Sequence, residues 1–270
     1  MTLIRPASGY AEASDLNMYY DVAGDGPPLL LFHGGMGTAG MFEALRNKLN
    51  AHWTTIAIEQ QGNGHTADAD RPLRFDRMAD DTAAAIRSLG LERCHAFGYS
   101  DGGNVALGLA IRHPGLIDRV AICGTNANND GLEPAMLSHL VKGAKEVPER
   151  VAAGLPAMLR EAYEAAAPIP ENWPQLVHRV FDLAATFEGW PQEQLQRIES
   201  PILVMVGDHD VVTVEHATWL SQQCPRGQLC VLPRTDHLAP ISRALWVSTI
   251  LNDFLAEDLD APMPMAAAHE

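Results

Sequence analysis

The chain has 270 residues, of which 47% are hydrophobic, and this is enough for one large domain with a sizeable core. Its 34 acidic residues outnumber its 19 basic ones, which gives a formal net charge of −15. Nucleic acids and anionic membrane surfaces are therefore disfavoured as partners, because both are recognised by clustered Lys and Arg.

Strands and helices are predicted to alternate along the chain. The predicted strands are short apolar runs, at 18–22, 29–32, 54–59, 94–97, 120–123, 202–206 and 229–232. The predicted helices lie between or after them, at 38–49, 75–89, 102–112, 214–223 and 242–255. The strands rich in Leu, Ile and Val lack polar alternation, as strands covered on both faces do. This order predicts an α/β fold, in which helices cover both faces of a mostly parallel sheet.

The stretch 126–196 departs from this alternation. Its apolar residues recur at helical spacing, and several prolines interrupt the pattern. We therefore predict a helical insertion between two strands. The chain then divides into a first part of the core (1–125), the insertion (126–196), a second part of the core (197–258) and a disordered tail (259–270).

The pentapeptide Gly98-Tyr99-Ser100-Asp101-Gly102 lies between a predicted strand and a predicted helix. A serine on such a sharp turn needs small neighbours, and the turn holds its hydroxyl outward. The G-x-S-x-G pattern alone can arise by chance, so its weight comes from its position and from partners downstream. It predicts Ser100 as a nucleophile.

A serine hydroxyl needs a base, and histidine is the usual one. His237 follows the strand at 229–232, and loops at the carboxyl ends of parallel strands converge on one crevice. The acid that orients the base has two candidates, Asp208 and Asp210, which both follow the strand at 202–206. An ordinary surface turn would explain either aspartate nearly as well, so the residues alone leave this choice open.

An acyl-transfer site also needs backbone donors for an oxyanion. We expect one donor to be the N–H of Asp101, at the start of a helix. The second should come from the loop after the strand at 29–32, from Gly35 or alternatively Met36. The Asp101 side chain has the wrong charge for this role, and we expect it to point away and to interact with the helix dipole.

Together these features resemble the α/β-hydrolase superfamily, over about residues 17–255. The nucleophile elbow of that family matches the pentapeptide around Ser100, and its H-G-G oxyanion loop matches His33-Gly34-Gly35. The family's acid ends a G-x-x-D run after a strand, which selects Asp210 over Asp208. The chain order Ser100, Asp210, His237 is similar to that of the family, and the insertion resembles its helical cap.

The resemblance implies a capped serine hydrolase of the esterase or lactonase type, which cleaves a small apolar ester through an acyl-enzyme. Trp173, Phe181 and Trp190 are expected to line the substrate pocket. A carbon–carbon bond hydrolase or a cofactor-free peroxidase on the same triad remains an alternative, as does a non-catalytic ligand-binding protein. An aminopeptidase is disfavoured, because we find no carboxylate in the insertion that is placed to bind an amine.

No metal-ligand cluster and no phosphate-binding loop is found in the sequence, so we predict neither a metal nor a cofactor. No signal-peptide pattern and no run of about 18 apolar residues is found either. We therefore expect a cytoplasmic protein without a membrane partner. The oligomeric state is left open.

Overall fold

The computed structural model describes residues 7–256. In this part of the chain eight strands form one sheet, in the order β1-β2-β4-β3-β5-β6-β7-β8. In this order, all neighbouring strands from β4 through β3 to β8 are parallel, whereas β2 is antiparallel to both of its neighbours, β1 and β4. The strands are β1 Ser8–Ala13, β2 Leu16–Ala23, β3 Pro28–Phe32, β4 Thr54–Ile58, β5 Cys94–Tyr99, β6 Ile117–Cys123, β7 Ile202–Gly207 and β8 Gly227–Leu232.

Eleven α-helices accompany the sheet within residues 7–256. They are α1 Glu43–Leu49, α2 Phe75–Ser88, α3 Asp101–Arg112, α4 Pro134–Gly143, α5 Pro148–Ala153, α6 Ala157–Ala166, α7 Trp173–Thr186, α8 Gln192–Leu195, α9 Val214–Gln223, α10 Ala239–Ser242 and α11 Ala244–Ala256. None of these helices is both long and apolar enough to cross a bilayer.

The core consists of two hydrophobic clusters, one on each face of the sheet. Successive side chains of a strand point to opposite faces. Thus Leu29 and Leu31 of β3 join the cluster with α1 and α11, while Leu30 and Phe32 join the cluster with α2, α3 and α9. All four side chains are fully buried, so this strand shows a continuous apolar run. The predicted α/β fold, with helices on both faces of a mostly parallel sheet, is confirmed.

The sequence analysis missed strand β1, and the first predicted strand proves to be longer. β1 pairs antiparallel with β2, from Ser8 opposite Asp21 to Ala13 opposite Leu16. Only Ala11 and Ala13 of β1 are buried, because one face of this edge strand is open to solvent. Its small and polar residues therefore carry little of the apolar signal by which the other strands are recognised.

Five helices, α4 to α8, lie between β6 and β7, where the helical insertion was predicted. Val180 and Phe181 of α7 line one cavity together with Ser100 and His237, which follow the carboxyl ends of β5 and β8. The exact division of the chain into core and cap at residues 126 and 196 stays a prediction. The predicted disordered tail, 259–270, lies outside the described residues.

Candidate active site

Ser100 occupies the tight turn that joins β5 to α3. Its backbone is left-handed, with φ 53° and ψ −121°, a conformation that is strained for any residue with a Cβ. A methyl group at Gly98 would overlap the carbonyl of Gly102, and one at Gly102 would overlap the carbonyl of Phe32. The two glycines of the motif are therefore needed because β5, α3 and β3 approach one another closely here.

Ser100, His237 and Asp210 lie in one hydrogen-bonded row. The Ser100 hydroxyl donates to Nε2 of His237 over 3.1 Å, and Nδ1–H of His237 donates to Oδ1 of Asp210 over 2.6 Å. The carboxylate of Asp210 can only accept, so this contact assigns the proton to Nδ1. The Asp210 side chain is fully buried, whereas that of His237 is 26% exposed. The loops after β5, β7 and β8 thus bring together three residues, of which Ser100 and His237 are 137 positions apart in the chain and Asp210 and His237 are 27 apart.

The two aspartates between which the sequence could not choose occupy different environments. Oδ1 of Asp210 also accepts from the N–H of Val212, which fixes the carboxylate against the His237 ring. Asp208 lies at the surface and accepts from the N–H of Thr235. Backbone hydrogen bonds from Arg234 and Thr235 lower the pKa of Asp208. Asp208 therefore stabilises the loop, and only Asp210 contacts His237.

Gly124 lies behind the row, directly after β6. Its φ is +60°, and a Cβ at this position would be 2.9 Å from Nδ1 of His237 and 3.1 Å from Oδ2 of Asp210. Oδ2 of Asp210 is buried and has no hydrogen-bond partner among the described residues. The backbone of Gly124 therefore forms the wall that holds the imidazole and the carboxylate together.

The loop after β3 is held in place by His33. Nδ1–H of His33 donates to the carbonyl of Gly34 over 2.7 Å, and Nε2 accepts from the N–H of Gln60 over 3.0 Å. This ring is buried, and burial lowers the pKa of His33, so it stays neutral in the tautomer that both contacts require. Met36 has a left-handed φ of 60° in the same loop. Gly35 and Met36 both line the cavity at Ser100, as the predicted donors must.

The side chain of Asp101 does not point away from the site, contrary to the sequence-based expectation. It lines the cavity at Ser100, and a Cβ on Gly35 would be 2.5 Å from its Oδ2. Burial raises the pKa of Asp101 from 3.8 to about 6, and the nearby His237 acts in the opposite direction. The carboxylate turns inward because the elbow, the Gly35 loop and α7 enclose the start of α3.

The row opens into a cavity of about 310 Å³ beneath the helical insertion. Its wall is mostly apolar and includes four methionines, Met36, Met41, Met136 and Met158. Phe181, one of the predicted pocket residues, lines this cavity. Met136, Leu140 and Leu159 also line it, although the sequence identified them only as part of a helical pattern. Their signal was the apolar spacing itself, which does not distinguish a cavity wall from a packed core.

The other two predicted pocket residues, Trp173 and Trp190, are not part of the cavity wall, and this prediction is wrong. Trp173 is buried at the start of α7 against Tyr163, with ring centroids 5.5 Å apart. Trp190 packs near Gly108 of α3, and its Nε1–H donates to Oδ1 of Asn104 over 3.0 Å. Both indoles bury a large apolar surface inside the protein, which is the commoner use of tryptophan. Among residues 7–256, no group of three His, Cys, Asp or Glu side chains is arranged to hold a metal ion.

The chain is similar to known proteins over most of its length. A family model described as alpha/beta hydrolase fold matches residues 27–244. The chain is 25% identical over 252 residues to pimeloyl-[acyl-carrier protein] methyl ester esterase of Nitrosospira multiformis. The aligned region covers 84% of this chain and 94% of that protein. It is 25% identical over 260 residues to serine hydrolase BPHL of Homo sapiens, covering 92% and 86%. The solved enol-lactonase from Burkholderia xenovorans LB400 superposes with a TM-score of 0.78 at 22% identity, covering 92% of this chain and 100% of that one, and supports the fold alone.

The contact of Gly124 with the row can be tested by substituting alanine at two left-handed glycines. Gly124→Ala and Gly115→Ala should each lose about 1–2 kcal/mol of stability, because both positions have positive φ. Nothing lies within 4 Å of a Cβ at Gly115, so only Gly124→Ala should also disturb the His237–Asp210 hydrogen bond. Proton NMR would detect this as loss or shift of the downfield Nδ1–H signal. An unchanged signal in Gly124→Ala would contradict the proposed wall.

The inward carboxylate of Asp101 should reduce stability at neutral pH. A raised pKa means that the folded state favours the neutral acid, so the cost is absent below pH 3.8 and complete above about pH 6. Asp101→Asn removes this cost but also loses a favourable interaction with the helix dipole, so its free energy of unfolding at pH 8 should be about 1–2 kcal/mol higher than that of the wild type. This difference should shrink as the pH falls toward 4.5. Urea unfolding at both pH values would measure it, with the exposed Asp130→Asn as control. A pH-independent difference would show that the carboxylate is well solvated.

Proposed function

Because the chain belongs to the alpha/beta-hydrolase family, we propose that it is a serine hydrolase that cleaves a carboxylic ester or lactone through an acyl-enzyme. The observation that carries this proposal is the hydrogen-bonded row of Ser100, His237 and Asp210. It opens into an apolar cavity large enough for a small substrate. The same row supports catalysis over ligand binding alone, since all three groups are present and in contact.

In this mechanism Oγ of Ser100 attacks the carbonyl carbon while its proton passes to Nε2 of His237. His237 then gives the proton to the leaving alcohol as the carbon–oxygen bond breaks, and the acyl group stays on Ser100. A water molecule, deprotonated in turn by His237, attacks the acyl-enzyme and releases the acid. Asp210 keeps the proton on Nδ1 and stabilises the imidazolium that forms at each transfer.

The oxyanion is assigned to two backbone N–H groups at the base of the cavity. One is the N–H of Asp101, at the start of α3, where the helix dipole also favours negative charge. The other is that of Gly35, with Met36 as the alternative donor. Each such donor is worth on the order of 3 kcal/mol of transition-state stabilisation.

Residues 126–196 are proposed to act as a cap that covers the acyl pocket. α7 contributes Val180 and Phe181 to the wall, and α4 contributes Met136 and Leu140. These side chains are apolar, and methionine adapts its shape to different neighbours. We infer that the pocket accepts small to medium apolar groups. A carbon–carbon bond hydrolase or a cofactor-free peroxidase would use the same three residues, and a substrate panel distinguishes these reactions.

Loss of the Ser100 hydroxyl should abolish turnover. Ser100→Ala is expected to lower kcat/KM toward p-nitrophenyl butyrate at least about 10³-fold, because no other group there can form the acyl-enzyme. The matched control is Ser138→Ala, at an exposed position on α4, which should retain wild-type activity. A fluorophosphonate probe should label the peptide that contains Ser100 in the wild type only. Full activity of Ser100→Ala would refute the mechanism.

The size of the acyl pocket predicts a chain-length preference. Within a series of p-nitrophenyl esters, kcat/KM should rise from acetate to butyrate or hexanoate and fall again for laurate, because the cavity holds about 310 Å³. Phe181→Leu removes wall volume and should shift the optimum toward longer esters. Ile169→Ala, at a position that is 55% exposed and outside the wall, should not shift it. Equal rates along the series would show that this cavity does not hold the acyl chain.

A further inference from the structure

The cavity at Ser100 contains a carboxylate without a counter-charge. Among the described residues that line the cavity, Asp101 is the one acid, and none is Lys or Arg. His237 is the remaining ionisable group near it apart from the Tyr99 phenol, and it is already engaged with Ser100 and Asp210. In the described part of the chain, no basic side chain forms an ion pair with Asp101.

The position of this carboxylate makes it costly. It lies between the Gly35 loop and α7, where a Cβ on Gly35 would contact both Oδ2 of Asp101 at 2.5 Å and Cγ1 of Val180 at 2.8 Å. Asp101 is partly exposed to the cavity, and an unpaired charge beside such apolar groups is less well solvated than in water. It also lies beside the proposed oxyanion donors, where a negative charge opposes the charge that develops during reaction. Both costs would disappear if a cation arrived with the substrate.

We propose that Asp101 selects substrates by charge: it binds an ammonium group next to the scissile carbonyl and excludes a carboxylate from the same position. The preferred substrates are then esters of small amino acids or of similar amine-bearing acids. This inference rests on the proposed function, because it takes Ser100 as the nucleophile. The sequence analysis looked for an amine-binding carboxylate in the helical insertion, whereas the elbow itself supplies one.

The geometry explains why the ammonium must be close to the carbonyl. The carbonyl oxygen points at the N–H groups of Gly35 and Asp101 in the proposed mechanism. The carbon next to the carbonyl is therefore near the Asp101 carboxylate, which contacts Gly35. An ammonium on that carbon would form a charge-assisted hydrogen bond with Asp101. The apolar wall, including Leu140 and Phe181, would contact the side chain or the alcohol group of the ester.

The test compares three benzyl esters of similar size in the wild type: L-alaninate, propionate and hydrogen malonate, whose carbon next to the carbonyl carries an ammonium, no charge and a carboxylate. Release of benzyl alcohol gives kcat/KM for each. We expect the cationic ester to exceed the neutral one at least about tenfold, and the neutral one to exceed the anionic one by a similar factor, as for hydrogen bonds to charged groups. This comparison needs no variant, so it does not depend on whether a mutant folds.

Asp101→Asn keeps the shape and the backbone N–H but removes the charge. In this variant both ratios should fall toward one, whatever its absolute rate. Asp130→Asn removes an exposed charge outside the cavity wall and should keep the wild-type ratios. Wild-type ratios near one, or ratios that persist in Asp101→Asn, would overturn the inference and leave the proposed function intact. Failure of the wild type to hydrolyse any of the three esters would overturn both.

Discussion

The strained turn at Ser100 is the constraint on which the rest of the site depends. Ser100 can keep a left-handed backbone only because β5, α3 and β3 pack around it, with Gly98 and Gly102 as spacers. The packing of the sheet and its helices therefore offsets the local strain. The same turn fixes three things at once: the direction of the hydroxyl toward His237, the N–H at the start of α3, and the inward side chain of Asp101.

Two carboxylates, those of Asp210 and Asp101, lie near this turn in different surroundings. Oδ1 of Asp210 accepts hydrogen bonds from Val212 and His237, whereas its buried Oδ2 has no partner within residues 7–256. Asp101 lies in an apolar wall, and burial raises its pKa to about 6. The protein thus holds the carboxylate of Asp210 with two hydrogen bonds and gives that of Asp101 no ion pair within the described residues. Such a contrast between neighbouring acids is typical of sites where each acid has its own task.

Much of this arrangement could be predicted from the sequence, because the signals were local. Apolar runs such as 29–32 indicate buried strands, and the glycines around Ser100 indicate the elbow. The choice between Asp208 and Asp210 needed the family resemblance, since both follow the same strand. The inward turn of Asp101 and the packing of Trp173 and Trp190 could not be predicted, because they depend on which distant elements meet. Periodicity shows that a side chain is buried, but not what it is buried against.

The pocket also depends on how firmly the helical insertion is attached to the core. Arg179 of α7 pairs with the carboxylate of Asp68 and with the carbonyl of Arg71, both in the segment between β4 and α2. Val180 and Phe181, the next residues of α7, form part of the cavity wall. Because successive residues of a helix point in different directions, Arg179 can hold the core while its neighbours face the cavity. The contacts of Arg179 therefore hold the part of α7 that brings Val180 close to Gly35, from outside the cavity wall.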